Sequence, residues 1–286
     1  MAGLIVEKSN AKINLGLSIL EKRDDGYHNL DTIFAELDWG DVLEFSPAEK
    51  YKFTVESSIQ HPTSSAPADE TNLITQAYRL LRSMFENVTS EYAIHLKKQI
   101  PIGAGLGGGS SNAAATLRAL NKLWNVGLSD KVLEMLGKKL GADVPFFIRG
   151  GVQRGKGIGE KLSHISFNED WWFVVCVPEI FCSTAHAFRD YKKHLPVNYH
   201  PCKFTGSNLV EKELLPLKND FEPMVFENYS EIEKTKSLFK ECGAFYASLS
   251  GSGSAVYGVF HHHETAKNAL SKLDSSSFSF LTQIIK

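Results

Sequence analysis

The sequence predicts an α+β fold of two domains, with mostly antiparallel sheets and helices segregated from them. Three observations carry this reading. The chain has 286 residues, long for one compact domain and comfortable for two. Residues 4–56 read as successive strands, with apolar side chains near alternate positions, before any helical period appears. The second half then repeats a mixture of short apolar strands and amphipathic helices with no internal repeat.

Taken in order, residues 4–20 set Val, Ile and Leu against Lys8, Asn10, Lys12 and Asn14, the pattern of strands. KRDDGY, residues 22–27, is a turn built on Asp25-Gly26. Residues 28–38 and 41–46 are further strands, with a break expected at Trp39-Gly40-Asp41, and YKFTVE (51–56) extends the meander. The stretch 57–70, rich in Ser and Pro, reads as a surface loop. Over 72–86 the period changes: Leu73, Ala77, Leu80, Leu81, Met84 and Phe85 mark one helical face. A strand at 91–97 precedes a glycine-rich stretch at 103–109 and a helix running to about Trp124. Ser129 can cap another helix that ends near Gly141. Residues 144–153 and 171–178 are strand candidates, followed by a helix at 228–241, strands near 244–249 and 254–260, a helix at 264–273 and a strand at 278–285. The polar stretch SHISFNED places a domain boundary near 160–170.

Apolar residues make up 43% and charged residues 22%, a globular balance that argues against long disorder. Lys and Arg number 31 against 33 Asp and Glu, a net charge of −2. No overall basic excess suggests a nucleic-acid or membrane-surface partner. The cysteines, at 176, 182, 202 and 242, form no C-x-x-C pair. They read as reduced thiols in a cytoplasmic setting. The first twenty residues lack the layout of a secretion signal, and no run approaches the ~20 apolar residues of a membrane span.

The richest chemical signal is PIGAGLGGGSSN, residues 101–112, in which five of the seven residues 103–109 are Gly. Backbone without Cβ atoms can approach a ligand closely. Its N–H groups, with the helix N-terminus behind them, form an anion site, and a triphosphate is the anion that fits. The competing reading is a flexible linker or a tight packing turn, which the flanking strand and helix disfavour. Gly103-x-Gly105-x-x-Gly108 has dinucleotide-fingerprint spacing, but a helix rather than a second strand follows. GGVQRGK (150–156) has Walker spacing, yet Gly157 stands where Ser or Thr would bind Mg²⁺, so it reads as a turn-rich segment.

Other positions admit two readings each. Lys12 and Asn14 point to one face of a strand and are either solvated or line a site. Asp143, between a helix end and an apolar run, is a cap or turn acid or a functional carboxylate. Tyr27-His28 either finishes a hairpin or serves a pocket. The run His261, His262, His263 lacks partners at metal spacing and reads as a solvated loop. SGSGS (250–254) is a tight turn or a second wall approaching phosphate.

Taken together, GAGLGGGSSNAA and LSGSGSAVYGVF resemble the phosphate motif and the C-terminal glycine motif of the GHMP kinases. AKINLGLSIL, DDGYHNLDTIF, LGADVPFFIRGG, GKGIGE and NDFEP, occurring in this order, are similar to the branch of that family acting on a cytidyl-diphosphate-linked methylerythritol. The resemblance spans residues 11–260. It implies a two-domain GHMP kinase-like fold, an N-terminal β-α ATP domain (1–165) and a C-terminal ferredoxin-like domain (166–286). It implies ATP as co-substrate with Mg²⁺, and phosphorylation of the 2-hydroxyl of the cytidyl substrate. By motif position, Asp143 would be the catalytic base, also touching substrate, and Lys12 its ion-pair partner. Asn14, Tyr27 and His28 would hold the cytidyl end, with Thr184 and Phe188 contributing from CSTAHAF. Pro101, Gly103, Gly105, Leu106, Gly107, Gly108, Gly109, Ser110 and Ser111 would form the ATP loop, with Asn72 and Lys98 near adenine. No dedicated metal cage is evident, Ser110 or Ser111 being a contributor at most. The expected protein is a monomer or weak homodimer. The alternatives are a GHMP kinase for another small alcohol, and a non-catalytic nucleotide- or RNA-binding module.

Overall fold

A computed structural model describes residues 4–59, 66–85, 87–191, 204 and 206–286. Part of the loop expected at 57–70, and Cys202, lie outside these residues. Two long paired strands open the chain, β1 (Ile5–Lys22) and β2 (His28–Ala48). The Asp25-Gly26 turn joins them as the sequence predicts, closed by N–H bonds from Arg23 to the Tyr27 carbonyl and from Gly26 to the Arg23 carbonyl. The expected break at Trp39-Gly40-Asp41 is absent, and β2 runs straight through it. Gly40 serves close packing instead of a turn, because a Cβ there would collide with the Ser9 carbonyl on β1.

The residues cluster into two compact units that divide both long strands. One holds residues 1–11, 39–102 and 107–150; the other holds 12–38, 103–106 and 151–286.

The first unit continues with β3 (Lys52–Ser57), α1 (Leu73–Arg82), β4 (Glu91–Lys98), α2 (Gly108–Leu123), α3 (Asp130–Leu140) and α4 (Val144–Arg149). β4 lies between the end of β2, antiparallel from Val42↔Lys97 to Ala48↔Glu91, and β3, to which it runs parallel. Helix α2 packs on α1 and α4, and its buried Ala113, Ala114, Ala115 and Ala119 let those neighbours come close. Helix α1 stops at Arg82 rather than 86. The N–H groups of Met84 and Phe85 turn back to Leu81 and Arg82 in a tighter last turn. Residues 144–149 are helix, not the expected strand. The run Val144 to Ile148 is buried throughout, so it carries no period to tell strand from helix, and Pro145 sits in the first turn where it is tolerated.

The second unit adds β5 (Val152–Gly157), β6 (Lys161–His164), β7 (Trp172–Val177), α5 (Thr184–Tyr191), α6 (Glu211–Leu214), α7 (Glu222–Asn228), α8 (Ser230–Glu241), β8 (Tyr246–Leu249), β9 (Val256–Phe260), α9 (His263–Ser271) and β10 (Phe278–Thr282). GGVQRGK is therefore a turn only at Gly150 and Gly151 (φ +71° and +73°); from Val152 it is strand, antiparallel to β2 from Leu30↔Gly157 to Ala35↔Val152. A separate antiparallel sheet has the order β10-β7-β9-β8. With helices after its first and third strands this is the 4-1-3-2, ferredoxin-like arrangement. Its core gathers Val174, Phe221, Ile232, Phe239, Phe260 and, from β1, Leu17 and Ile19. Among the described residues no helix is long and apolar enough to cross a membrane.

Candidate active site

The glycine loop begins with alternating left-handed positions, Gly103, Gly105 and Gly107 at φ +71°, +79° and +71°. Its first part, residues 103–106, is inserted between β1 and the SGSGS turn. The Lys12 N–H donates to the Leu106 carbonyl (3.0 Å) and the Ala255 N–H to the Ala104 carbonyl (3.1 Å). The Ser250 hydroxyl donates to the Gly105 carbonyl at 2.9 Å, and a Cβ on Gly105 would run into the Ser250 carbonyl. SGSGS is thus a tight turn that also walls the loop, with Gly251 and Gly253 at φ +57° and +88°.

Lys12 and Asn14 are not solvated: they are 4% and 2% exposed. The Lys12 ammonium donates to Asn14 Oδ1 at 2.6 Å and lies 5.4 Å from the centre of the Phe34 ring. Asn14 Nδ2 donates to Thr32 Oγ1 (2.8 Å), whose hydroxyl donates to the Gly16 carbonyl (2.7 Å). The Asn14 backbone is held too, its N–H by the Ser250 oxygen (3.3 Å) and its carbonyl by the Tyr257 hydroxyl (2.8 Å). Burial pushes the Tyr257 phenol well above its usual range, so it stays a proton donor here. The result is a cation, an amide and a hydroxyl in series, each ordered by its neighbour.

At the hairpin tip the picture reverses. Tyr27 is 61% exposed, and its N–H donates to Asp25 Oδ1. The hydrogen bond from the Arg23 guanidinium holds the Asp25 carboxyl below its ordinary range. His28 stacks on Phe188 of α5, centroids 5.6 Å apart and planes 17° from parallel, and Phe188 meets Phe221 edge-on at 4.9 Å. One turn back on α5, the Thr184 and Ser252 hydroxyls are 2.9 Å apart. Tyr27 is adjacent in sequence to this ring set.

In the first unit, Gly107 is the left-handed N-cap of α2, which presents the early amides of Gly108, Gly109 and Ser110 at a helix start. The Ser9 hydroxyl fixes the next turn, 2.8 Å from Ser111 Oγ and 2.6 Å from Asn112 Oδ1. Lys98 is buried, donating to Asp41 Oδ2 at 2.7 Å and to the Ile100 carbonyl. Its Nζ lies 3.2 Å from where a Cβ on Gly108 would sit, so this cation underlies the first turn of α2. Burial lowers its pKa, partly offset by the pull of Asp41. The other Asp41 oxygen takes the N–H groups of Gln99 and Ile100, fixing the approach to buried Pro101. Asn72 is the N-cap of α1: Oδ1 accepts from the Ile74 N–H and Nδ2 donates to the Pro67 carbonyl. Asp143 occupies the N-cap position of α4 in an α-type conformation, just past Gly141, whose Cβ would lie 3.7 Å from Ser110 Oγ.

Sequence reasoning missed Thr32, Asp41 and Ser250 as individual participants. SGSGS had singled out the Ser250 turn. Nothing local marks Thr32 or Asp41, since each acts through partners distant in sequence. His261, His262 and His263 are exposed, and the described residues contain no group of three His, Cys, Asp or Glu able to hold a metal.

The family comparison places the chain. The GHMP kinases N terminal domain matches residues 72–151 and the GHMP kinases C terminal domain residues 208–279. The chain belongs to the GHMP kinases. Within that family it is 41% identical over 283 residues to the 4-diphosphocytidyl-2-C-methyl-D-erythritol kinase of Pelodictyon phaeoclathratiforme, covering 97% of this chain and 96% of the relative. It also matches the crystal structure of a 4-(cytidine 5'-diphospho)-2C-methyl-D-erythritol kinase, with a TM-score of 0.81 and 30% identity over 98% of this chain and 99% of that one. A homoserine kinase from Cytophaga hutchinsonii, at 16% identity, 99% of this chain, 96% of its own and TM-score 0.72, shares the fold.

Proposed function

We propose that this chain transfers the γ-phosphoryl group of ATP to the 2-hydroxyl of 4-diphosphocytidyl-2-C-methyl-D-erythritol, a step of the non-mevalonate isoprenoid pathway. One observation carries the reading beyond family likeness. The buried Lys12–Asn14–Thr32 series is tied through Ser250 to the carbonyl of Gly105. The strand that would hold the acceptor therefore leans on the same turn as the loop that would hold phosphate.

In this reading Asp143 accepts the proton of the 2-hydroxyl as its oxygen bonds to phosphorus. Lys12 steadies charge on the phosphoryl oxygens. Asn14, Tyr27, His28, Thr184 and Phe188 hold the acceptor, with Tyr27 offering its exposed face to cytosine. Pro101, Gly103 and residues 105–111 take the phosphates, and Lys98 and Asn72 flank adenine. The capping bonds of Asn72 leave it to act there by shape. Mg²⁺ fits as an ion held chiefly by ATP. The half-buried Ser110 hydroxyl offers one hard oxygen, and the described residues form no separate cage. When bound it supplies charge neutralisation at the phosphates. We also read 1–165 and 166–286 as the two functional domains, and the enzyme as cytoplasmic, a monomer or weak homodimer.

A coupled ADP-release assay tests this with the cytidyl substrate, its uridyl analogue, homoserine and mevalonate. Turnover dependent on the cytidyl substrate is expected, and preference for another alcohol overturns the assignment. Asp143→Asn should lower kcat by about 10²–10⁴-fold while ATP binding is kept. Near-normal kcat in the folded variant would remove Asp143 as base.

A further inference from the structure

The NDFEP segment, residues 219–223, is absorbed by none of these roles, yet it is wired into the site. Asn219 is 2% exposed. Its Nδ2 donates to the carbonyls of Leu249 and Gly251, each at 2.8 Å, and its Oδ1 accepts from the Phe221 N–H at 3.0 Å. Glu222 grips the same stretch: Oε1 accepts from the Ser248 hydroxyl and the Leu249 N–H, both at 3.0 Å, while Oε2 pairs with Lys236 at 2.7 Å. On its other side the segment adds to β1. The Leu17 N–H donates to the Lys218 carbonyl (2.8 Å), the Asp220 N–H to the Leu17 carbonyl (2.9 Å), and the Ile19 N–H to Asp220 Oδ2 (2.8 Å).

We propose that Asn219 is a positioning residue for both ATP and acceptor, acting through the 250–254 turn. That turn contains two left-handed glycines, Gly251 and Gly253, and glycine brings conformational freedom along with close approach. Pinning the Gly251 carbonyl, and that of Leu249 just before the turn, to one rigid amide removes that freedom. The pinned turn then presents Ser250, which accepts the Asn14 N–H and donates to the Gly105 carbonyl. Because the segment is also bridged to β1 at Leu17, three residues beyond Asn14, Asn219 sets strand and turn in one register. In this proposal Asn219 acts through the turn rather than by direct contact with either substrate. Its effect reaches two substrates because both lean on Ser250.

This inference rests on the kinase reading, and the experiment separates the two. Wild type, Asn219→Ala, Asn219→Asp, Ser250→Ala and the Asn219→Ala/Ser250→Ala double variant are compared as full-length proteins, well below their melting temperatures. Asn219→Ala should raise KM for ATP and for the acceptor together, each by about tenfold, with kcat within about threefold. Asn219→Asp should do at least as much, since its carboxylate would face two carbonyl oxygens. The double variant should lose little beyond Ser250→Ala alone, the non-additivity of residues acting through one contact. Lower melting temperatures with both KM values unchanged, or additive losses, overturn the proposal. If wild type turns over no cytidyl substrate, the kinase reading fails instead, and calorimetric titration with a non-hydrolysable ATP analogue still reports whether Asn219 supports the loop.

Discussion

The β1–β2 hairpin has two ends with opposite characters. At the inner end a Lys, an Asn and a Thr are almost fully buried in strands whose neighbours Ile13, Leu15 and Ile33 are 0% exposed. At the tip a Tyr stands 61% exposed beside a His stacked on Phe188. Each end breaks the usual partition of polar outside and aromatic inside. A buried ammonium carries a desolvation cost that an apolar side chain of similar volume would not, and the proposed role of Lys12 gives that cost a purpose. An exposed ring with one free face argues for recognition. Under the proposed function the contrast would put kcat at the inner end and KM at the tip.

The sharpest way to break that assignment is Lys12→Met. Met is close in volume and needs no hydrogen bond, so a purely structural Lys12 would give a protein of equal or higher stability with normal activity. We expect kcat to fall by about 10²–10³-fold, the usual cost of removing one transition-state charge partner, with a melting temperature near that of wild type. Steady-state kinetics beside a melting curve decides it.

Next in size is Gly105→Ala, at the point where the inner end meets the loop. The φ of +79° and the collision with the Ser250 carbonyl act together. Strain of this kind costs about 1–3 kcal/mol. Affinity for a non-hydrolysable ATP analogue should weaken by about tenfold or more, while acceptor affinity shifts less; calorimetry reads both. Unchanged ATP affinity in a folded variant would move the phosphate site off residues 103–106.

What could be read beforehand follows the range of the interactions. The strands, the Asp25-Gly26 turn and the helix behind the glycine loop depend on neighbours a few residues away, and pattern exposes them. Val144 to Ile148 misled because an all-apolar run has no period. Gly40 misled because the reason for a glycine lay on another strand, at Ser9. Within the site, Lys12 and Asn14 were visible as a polar pair on one face, but their burial was not. Ser250 and Gly105 are 145 positions apart, Lys98 and Asp41 57 apart, and no local signal joins them. Asn72 fitted a motif, and the N-cap that its side chain builds was a second role the motif did not announce.

At the tip, Tyr27→Ala should raise KM for the cytidyl substrate by roughly tenfold, since stacking is worth about 1–3 kcal/mol per base and 1.4 kcal/mol is a factor of ten. KM for ATP and the melting temperature should hardly move, the side chain being largely in solvent. An equal rise in both KM values would erase the distinction between the two ends.

The smallest effect, and the most discriminating, belongs to His28. Its ring does two separable things: it stacks on Phe188, and it carries two nitrogens that can meet a base edge. An aromatic pair contributes about 0.5–1.5 kcal/mol beyond burial, so His28→Ala should lower stability slightly and also relax the preference for cytidyl over uridyl substrate. That result alone would not separate lost packing from lost recognition. His28→Phe does, because it keeps a flat ring against Phe188 and removes only the nitrogens. The Phe variant should hold its melting temperature and its kcat while the ratio of kcat/KM for the two nucleotide analogues falls by several-fold. If the ratio stays at the wild-type value, His28 is a packing partner for α5, base selectivity lies with another group, and recognition at the tip reduces to the open face of Tyr27.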